Sequence, residues 1–421
     1  MFPSRSVPAA ATAALLLATA GTLLAGPPTA GRAADPAPDC GTSGLVRETL
    51  PNGTRWQLCW HVDPKTGLVL EQVAVRARGA ASAVRVLGSI TMAQLNVPYD
   101  SGTNEWNDIT SYGFGGDRMQ TLTGEDCRGG SRRPAATGAG PAGNRVLCVS
   151  EERSGPAFRL NDEATAETFS EQGDDLVLRT YSKVGWYEYV NEYRLSDDGV
   201  ISVGLGATGD LSPYDFSGPT DGWPVGAGES DHASSHHHSA FWRVDFDLDG
   251  RGGERVEQYD TAPTGERGRR SAILATTRTP IATEATATLA NRRWWRVVSP
   301  TSLNGDGHER SYQLALTGGD SYESHPETVP DVTFTEYREC EKFATFNTDP
   351  ECQARTILDY TNGETLTDPV LWVRVGYHHV PRDEDQSPMP VHWQGFQLLP
   401  RDMFATNPIG PTARATINGR P

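Results

Sequence analysis

Short runs rich in β-branched and aromatic residues recur along this chain, and several of them end in a tight-turn signal. The runs cover residues 55–61, 68–77, 175–181, 186–195, 200–205, 241–248, 294–298, 331–337, 370–380 and 393–399. Turn sequences such as Asp197-Asp198-Gly199 and Asp249-Gly250 sit at their ends, as hairpins require. With 44 glycines and 29 prolines spread through 421 residues, no stretch sustains a helical period. The pattern excludes a helical bundle and predicts an all-β fold, a large antiparallel β-sandwich with one core. Residues 129–144 and 212–235, rich in Gly, Ser, Arg, Asp and Pro, read as loops between strands.

The N-terminus reads as an export leader. Arg5 precedes an Ala- and Leu-rich apolar run over residues 9–24, and Gly31-Arg32-Ala33 presents small residues at a cleavage position. The apolar run is too short for a membrane span. The expected division is a signal peptide over 1–33 and a secreted, soluble domain over 34–421. Six cysteines fit an oxidising compartment, and sequence order favours the neighbour pairs Cys40–Cys59, Cys127–Cys148 and Cys340–Cys352. A formal net charge of −17 without a basic block argues against nucleic acid or an anionic membrane as partner. An acidic field instead draws in cations such as protonated amines.

Three clusters carry chemistry. In Ser235-His236-His237-His238-Ser239, leading into a strand, residues two apart share a side. His236 and His238 can therefore meet one metal ion while His237 faces away. The strand that runs through Val375-Gly376-Tyr377 ends in His378-His379, of which only one can join the first pair. Imidazole suits copper, zinc, iron or nickel, and three histidines would leave coordination positions open. Read alone, each histidine cluster serves equally well as a polar surface segment. Gly185-Trp186-Tyr187-Glu188-Tyr189 reads alone as an aromatic, core-facing strand.

Taken in order, these clusters resemble the copper amine oxidases. The resemblance rests on Gly185-Trp186-Tyr187-Glu188-Tyr189, on His236-x-His238 before Arg243-Val244-Asp245-Phe246-Asp247-Leu248-Asp249-Gly250, and on His378-His379-Val380-Pro381-Arg382-Asp383-Glu384-Asp385 with Pro388-Met389-Pro390-Val391. Gly395-Phe396-Gln397-Leu398-Leu399-Pro400, Asn407-Pro408, Asn96-Val97-Pro98-Tyr99 and Gly124-Glu125-Asp126-Cys127 extend it over most of the chain.

The resemblance implies that family's catalytic-domain fold, its supersandwich. It implies a secreted primary-amine oxidase that turns an amine, O2 and water into an aldehyde, ammonia and hydrogen peroxide. It places Tyr187 at the tyrosine that becomes topaquinone, and His236, His238 and His379 at the copper(II) ligands. Asp108 falls on the catalytic base, Tyr99 on the tyrosine that hydrogen-bonds the cofactor, and Trp106 on an aromatic gate. Cys127–Cys148 matches the family's disulfide. Asp245, Asp247 and Asp368, with backbone carbonyls of Phe246 and Pro369, fall on a second site for a hard cation such as calcium. A homodimer is implied as well. Residues 34–421 match the catalytic domain, with the usual small N-terminal domains unmatched. That would open the channel to peptidyl or natural-product amines beside small ones.

The chain departs from the family pattern next to the cofactor position. Trp186 stands where the family has Asn, and Lys183 where it has Thr or Ser. A copper-binding relative or partner subunit without a mature quinone is therefore the alternative reading. A β-sandwich carbohydrate-binding module is a third, resting on fold class alone.

Overall fold

The computed structural model describes residues 38–410, apart from 137, 141–142, 164, 229–230, 251, 318–319 and 323–324; the export leader read from the sequence lies outside the described residues. Among the described residues, two large sheets dominate. The first has nine strands. It runs from a meander of Gly44–Thr49, Arg55–Asp63, Gly67–Arg76 and Val84–Pro98 into His236–Phe246, Pro369–His379, Val332–Glu336 and Ala285–Ala287, with Glu105–Asn107 paired to Val84–Pro98. The second has ten. Its centre holds Met389–Arg401, Ile201–Gly209, Tyr187–Ser196 and Glu167–Val184. Strand pairing in both is antiparallel.

The core lies between the two sheets. Trp242 of the first meets Phe396 of the second edge-on at 5.5 Å between ring centres, and Trp56 Nε1 donates across the layers to the Ser196 carbonyl at 2.9 Å. Trp56, Trp242, Trp295 and Trp372 are all fully buried. At about 25 cal/mol per Å2, each contributes on the order of 4–6 kcal/mol of transfer free energy, which is why the aromatic-rich runs decide the fold. His236–Phe246 lies between Val84–Pro98 and Pro369–His379, so both of its edges are paired and nearly all its side chains are buried.

Each run read as a strand falls on a strand. The two stretches read as loops are partly built. Ser131–Pro134 pairs with Arg145–Asp162, and 212–235 carries a small three-stranded sheet of Phe216–Ser217, His232–Ser234 and Gly222–Pro224. Low strand propensity is overridden there by a paired neighbour. All three expected disulfides are present: Cys40–Cys59, Cys127–Cys148 and Cys340–Cys352. Among the described residues, no helix is long and apolar enough to cross a membrane.

Candidate active site

His236 and His379 stand directly opposite each other in the ladder between His236–Phe246 and Pro369–His379. Strand alternation then puts His238 on the same side as His236. One nitrogen from each of the three rings lies within 4.8 Å of the others, and all three are buried. His379 Nδ1 is 3.3 Å from His236 Nε2. His237 and His378 turn the other way, to Ser239 Oγ at 3.1 Å and to Asp100 Oδ2 at 2.9 Å.

The electrostatics suit a metal. Burial, then the neighbouring His379, pushes His236 down to about 3, and burial, then the neighbouring His236 and His379, drives His238 well below its ordinary value. Neutral imidazole is the form that donates a lone pair. His236 Nδ1 is 3.1 Å from the Ser234 carbonyl, so it donates there and leaves Nε2 free. Among the described residues, neither buried ring nitrogen of His238 has a hydrogen-bond partner. A buried unpaired nitrogen is costly unless something else uses it, and a bound metal would. Three imidazoles with open positions fit copper.

Tyr187 enters from the other sheet. Gly185, at φ +60°, makes the tight turn between Glu167–Val184 and Tyr187–Ser196, and Asp210 N donates to the Trp186 carbonyl at 3.0 Å to fix it. Tyr187, the first residue of its strand, is buried, and its hydroxyl lies 2.8 Å from His236 Nε2 and 3.0 Å from His379 Nδ1. The phenol thus points at the nitrogens that would hold the metal. Tyr99 stacks on His236 at 4.6 Å and shares an isolated bridge with it.

A cavity of about 440 Å3 opens on the far side of Tyr187. Tyr99, Trp106, Asp108, Tyr112, Trp186, Tyr189, Tyr214 and Asp215 line it. Asp108 follows the short strand Glu105–Asn107 and is buried. Burial pushes its carboxyl up to about 7, partly offset by a hydrogen bond from the Tyr189 hydroxyl. A carboxylate so tuned can take a proton near neutrality. Trp106, Tyr112 and Trp186 are about two-fifths exposed at the mouth, and Tyr214 is mostly exposed.

Residues 52–417 match the profile of the copper amine oxidase enzyme domain. The chain belongs to the copper amine oxidase family. Among curated relatives, it is 28% identical over 397 residues to the histamine oxidase of Arthrobacter globiformis, covering 84% of this chain and 55% of that protein. It is 25% identical over 394 residues to the copper-containing amine oxidase alpha 2, peroxisomal, of Arabidopsis thaliana, covering 84% and 58%. The chain therefore spans under two thirds of the length of these relatives. Among solved structures, the copper-containing benzylamine oxidase of Hansenula polymorpha shares the fold, with a TM-score of 0.72, 20% identity, and 87% and 62% coverage. The lysyl oxidase of Pichia pastoris gives 0.69, 19%, and 84% and 52%. Membership in the family implies copper and topaquinone, and the three-histidine group is where a metal fits.

The second-cation residues lie apart from this centre. Asp245 pairs with Val370 at the end of the ladder, and Phe246 and Pro369 are their chain neighbours. Arg85 Nη1 holds Asp247 Oδ2 at 2.8 Å. The three aspartates are not among the groups of described residues whose ligand atoms come within 4.8 Å of one another. The sequence reading gave no role to Tyr189, Tyr214, Asp215, Asp385 or His392. Asp385 stood in a quoted motif, and Tyr214 and Asp215 lay in a stretch read as a loop.

Proposed function

We propose that this chain is an exported primary-amine oxidase in which Tyr187 is the precursor of topaquinone and His236, His238 and His379 hold copper. The observation that carries this reading is the Tyr187 hydroxyl, set 2.8 Å and 3.0 Å from nitrogens of two of those histidines while the same side chain lines the cavity of Asp108. Once bound, copper and the quinone would supply the electron acceptor that passes two electrons from the amine to O2, so that amine, O2 and water give aldehyde, ammonia and hydrogen peroxide.

The chain's own residues do the rest. Asp108 accepts the proton from the carbon next to the substrate nitrogen. Tyr189 holds that carboxylate in place through its hydroxyl. Tyr99 contacts the Asp215 carboxylate and stacks on His236, which fixes it beside Tyr187. Trp106, Tyr112, Trp186 and Tyr214 offer apolar ring faces to the substrate's carbon skeleton, and Trp106 gates the way in. Amines with an aromatic or long alkyl skeleton fit such a mouth. The named activities of the relatives and structural neighbours, on histamine, benzylamine and lysyl groups, agree with that class.

Aerobic copper loading followed by a quinone stain and a peroxide-coupled amine screen tests this. Wild type should stain, react with phenylhydrazine and release peroxide. Tyr187→Phe should bind copper and do none of these. Stain-negative wild type that binds one copper would instead favour a copper-binding relative without a quinone, the reading that Trp186 at the turn motivates.

Three further parts of the reading have their own support. The disulfides fit export. The hairpin of Arg255–Arg267 and Ala272–Ile281 is largely exposed and carries Ile273 and Leu274 on its surface, which fits an arm that packs on a second copy in a homodimer. Burial, then repulsion by Asp368 and Asp247 against the pull of Arg243, raises Asp245 to about 6, and a calcium-like cation would relieve that.

A further inference from the structure

Behind His379, on the side away from Tyr187, lies a buried polar chain. Asp385 ends the short turn Asp383–Asp385 and is fully buried. Its Oδ2 accepts from His379 Nε2 at 3.0 Å and from the Arg382 backbone N–H at 3.0 Å. Its Oδ1 lies 2.8 Å from His392 Nε2 and 3.6 Å from Arg382 Nε. His392, on the strand Met389–Arg401, in turn meets the Tyr377 hydroxyl at Nδ1, 3.0 Å away. Tyr377 stacks on both imidazoles, at 5.8 Å from His379 and 5.6 Å from His392.

With Asp385 ionised and both imidazoles neutral, the proton inventory of this chain has one consistent solution. An ionised carboxylate only accepts, so His379 and His392 must each carry a proton on Nε2. His392 Nδ1 then accepts from Tyr377, and His379 Nδ1 is left with a free lone pair. That lone pair faces Tyr187 and His236 Nε2. The three imidazoles of the metal group differ here. His236 donates to a neutral backbone carbonyl, His238 has no hydrogen-bond partner at either nitrogen among the described residues, and His379 alone is backed by a carboxylate. A ligand imidazole hydrogen-bonded to an anion is held in one tautomer and one ring orientation and becomes a stronger donor.

We propose that Asp385 and His392 are positioning residues for the copper centre: Asp385 fixes His379 with Nδ1 toward the metal, and His392, anchored by Tyr377, fixes Asp385. The proposal rests on the reading of His236, His238 and His379 as copper ligands. It makes the Arg382–His392 segment, which contributes no ligand, a part of the metal site.

The test uses the full chain and copper alone, with affinity measured by competition against a chelator and the centre's spectrum recorded by electron paramagnetic resonance. Asp385→Asn keeps the shape and removes the charge, and copper affinity should fall about 10–100-fold. Asp385→Glu should restore part of the loss. His392→Gln sits at the partly exposed end of the chain and leaves the buried carboxylate its other partners, so it covers the case in which the Asp385 variants fail to fold. It should weaken copper several-fold, with an altered copper spectrum and little change in the melting temperature of the metal-free protein. A purely structural role would shift that melting temperature and leave affinity alone. Copper affinity within twofold of wild type in folded Asp385→Asn and His392→Gln would overturn the inference while leaving the function reading standing. A second metal equivalent in wild type, lost in His392→Gln, would also overturn it, since His379, Asp385 and His392 would then be ligands of their own ion. Wild type that takes up no copper would overturn both.

Discussion

The two sides of Tyr187 are built differently. On the metal side, His236, His238 and His379 sit on paired strands and are at most 1% exposed. On the cavity side, Trp106, Tyr112, Trp186 and Tyr214 come from turns, a three-residue strand and the 212–235 excursion, and each is at least 39% exposed. Neighbouring strands of one packed sheet hold a donor set more firmly than loops do. Turn-borne rings at a mouth can yield to a substrate. The comparison implies that loss of any of these three histidines acts in an all-or-none manner, whereas changes at the mouth grade the choice of amine.

The largest expected effect follows from the metal side. His238→Ala removes an imidazole that has no hydrogen-bond partner at either nitrogen among the described residues, so copper binding should fall below detection and amine oxidation with it. Metal analysis after dialysis checks this. His237→Ala, one residue away and facing the other direction, should keep its copper. Equal copper retention by both variants would break the contrast between the two faces of that strand.

Next comes Asp108, which belongs to the cavity side but is buried like the histidines. Asp108→Asn should lower the rate of amine oxidation about 10²–10⁴-fold, the usual contribution of a general base, with copper content unchanged. On the proposed role the carboxylate is the working form, and its pKa is raised to about 7. Activity of wild type should therefore fall about tenfold per pH unit below 7 and level off above it. Tyr189→Phe removes the hydrogen bond that favours the ionised form, so the midpoint should move to higher pH. The same shift has a stability consequence. A raised acid pKa favours the fold fully below the unfolded value of 3.8, and this contribution is lost as pH rises through about 7. Asp108→Asn should thus melt higher than wild type at pH 8 and show little difference at pH 4. A rate profile flat between pH 5 and 8 would remove Asp108 from the chemistry.

The same division explains what the sequence could disclose. His236 and His238 were legible from strand parity, and the choice between His378 and His379 was left open until a resemblance settled it. The ladder shows the physical reason: His236 is in register with His379, and His378 is one step out of phase, beside Asp100. The sandwich was legible because its strands bury aromatic and branched residues in recognisable runs. Asp385 and His392 were not, because their geometry depends on a short turn folding a carboxylate back under the strand end, which has no periodic signature. Tyr214 and Asp215 were hidden for a related reason. The stretch 212–235 has loop composition, and its described residues form strands by pairing with one another just before His236, where Ser234 N donates to the Asp215 carbonyl at 2.9 Å.

The smallest effect belongs to the mouth itself. Tyr214 is 83% exposed and lies 6.3 Å, ring centre to ring centre, from Trp186. With no buried partner to lose, Tyr214→Ala should leave folding and copper content unchanged. A stacking contact to a substrate ring contributes about 0.5–1.5 kcal/mol, so KM for an arylalkylamine should rise roughly two- to tenfold while kcat holds. For methylamine, which cannot reach the ring from the cavity floor, neither constant should move. Steady-state kinetics on the two amines separate the outcomes. An equal change in KM for both would show that Tyr214 shapes the cavity as a whole, and the mouth would then be as rigid as the metal side.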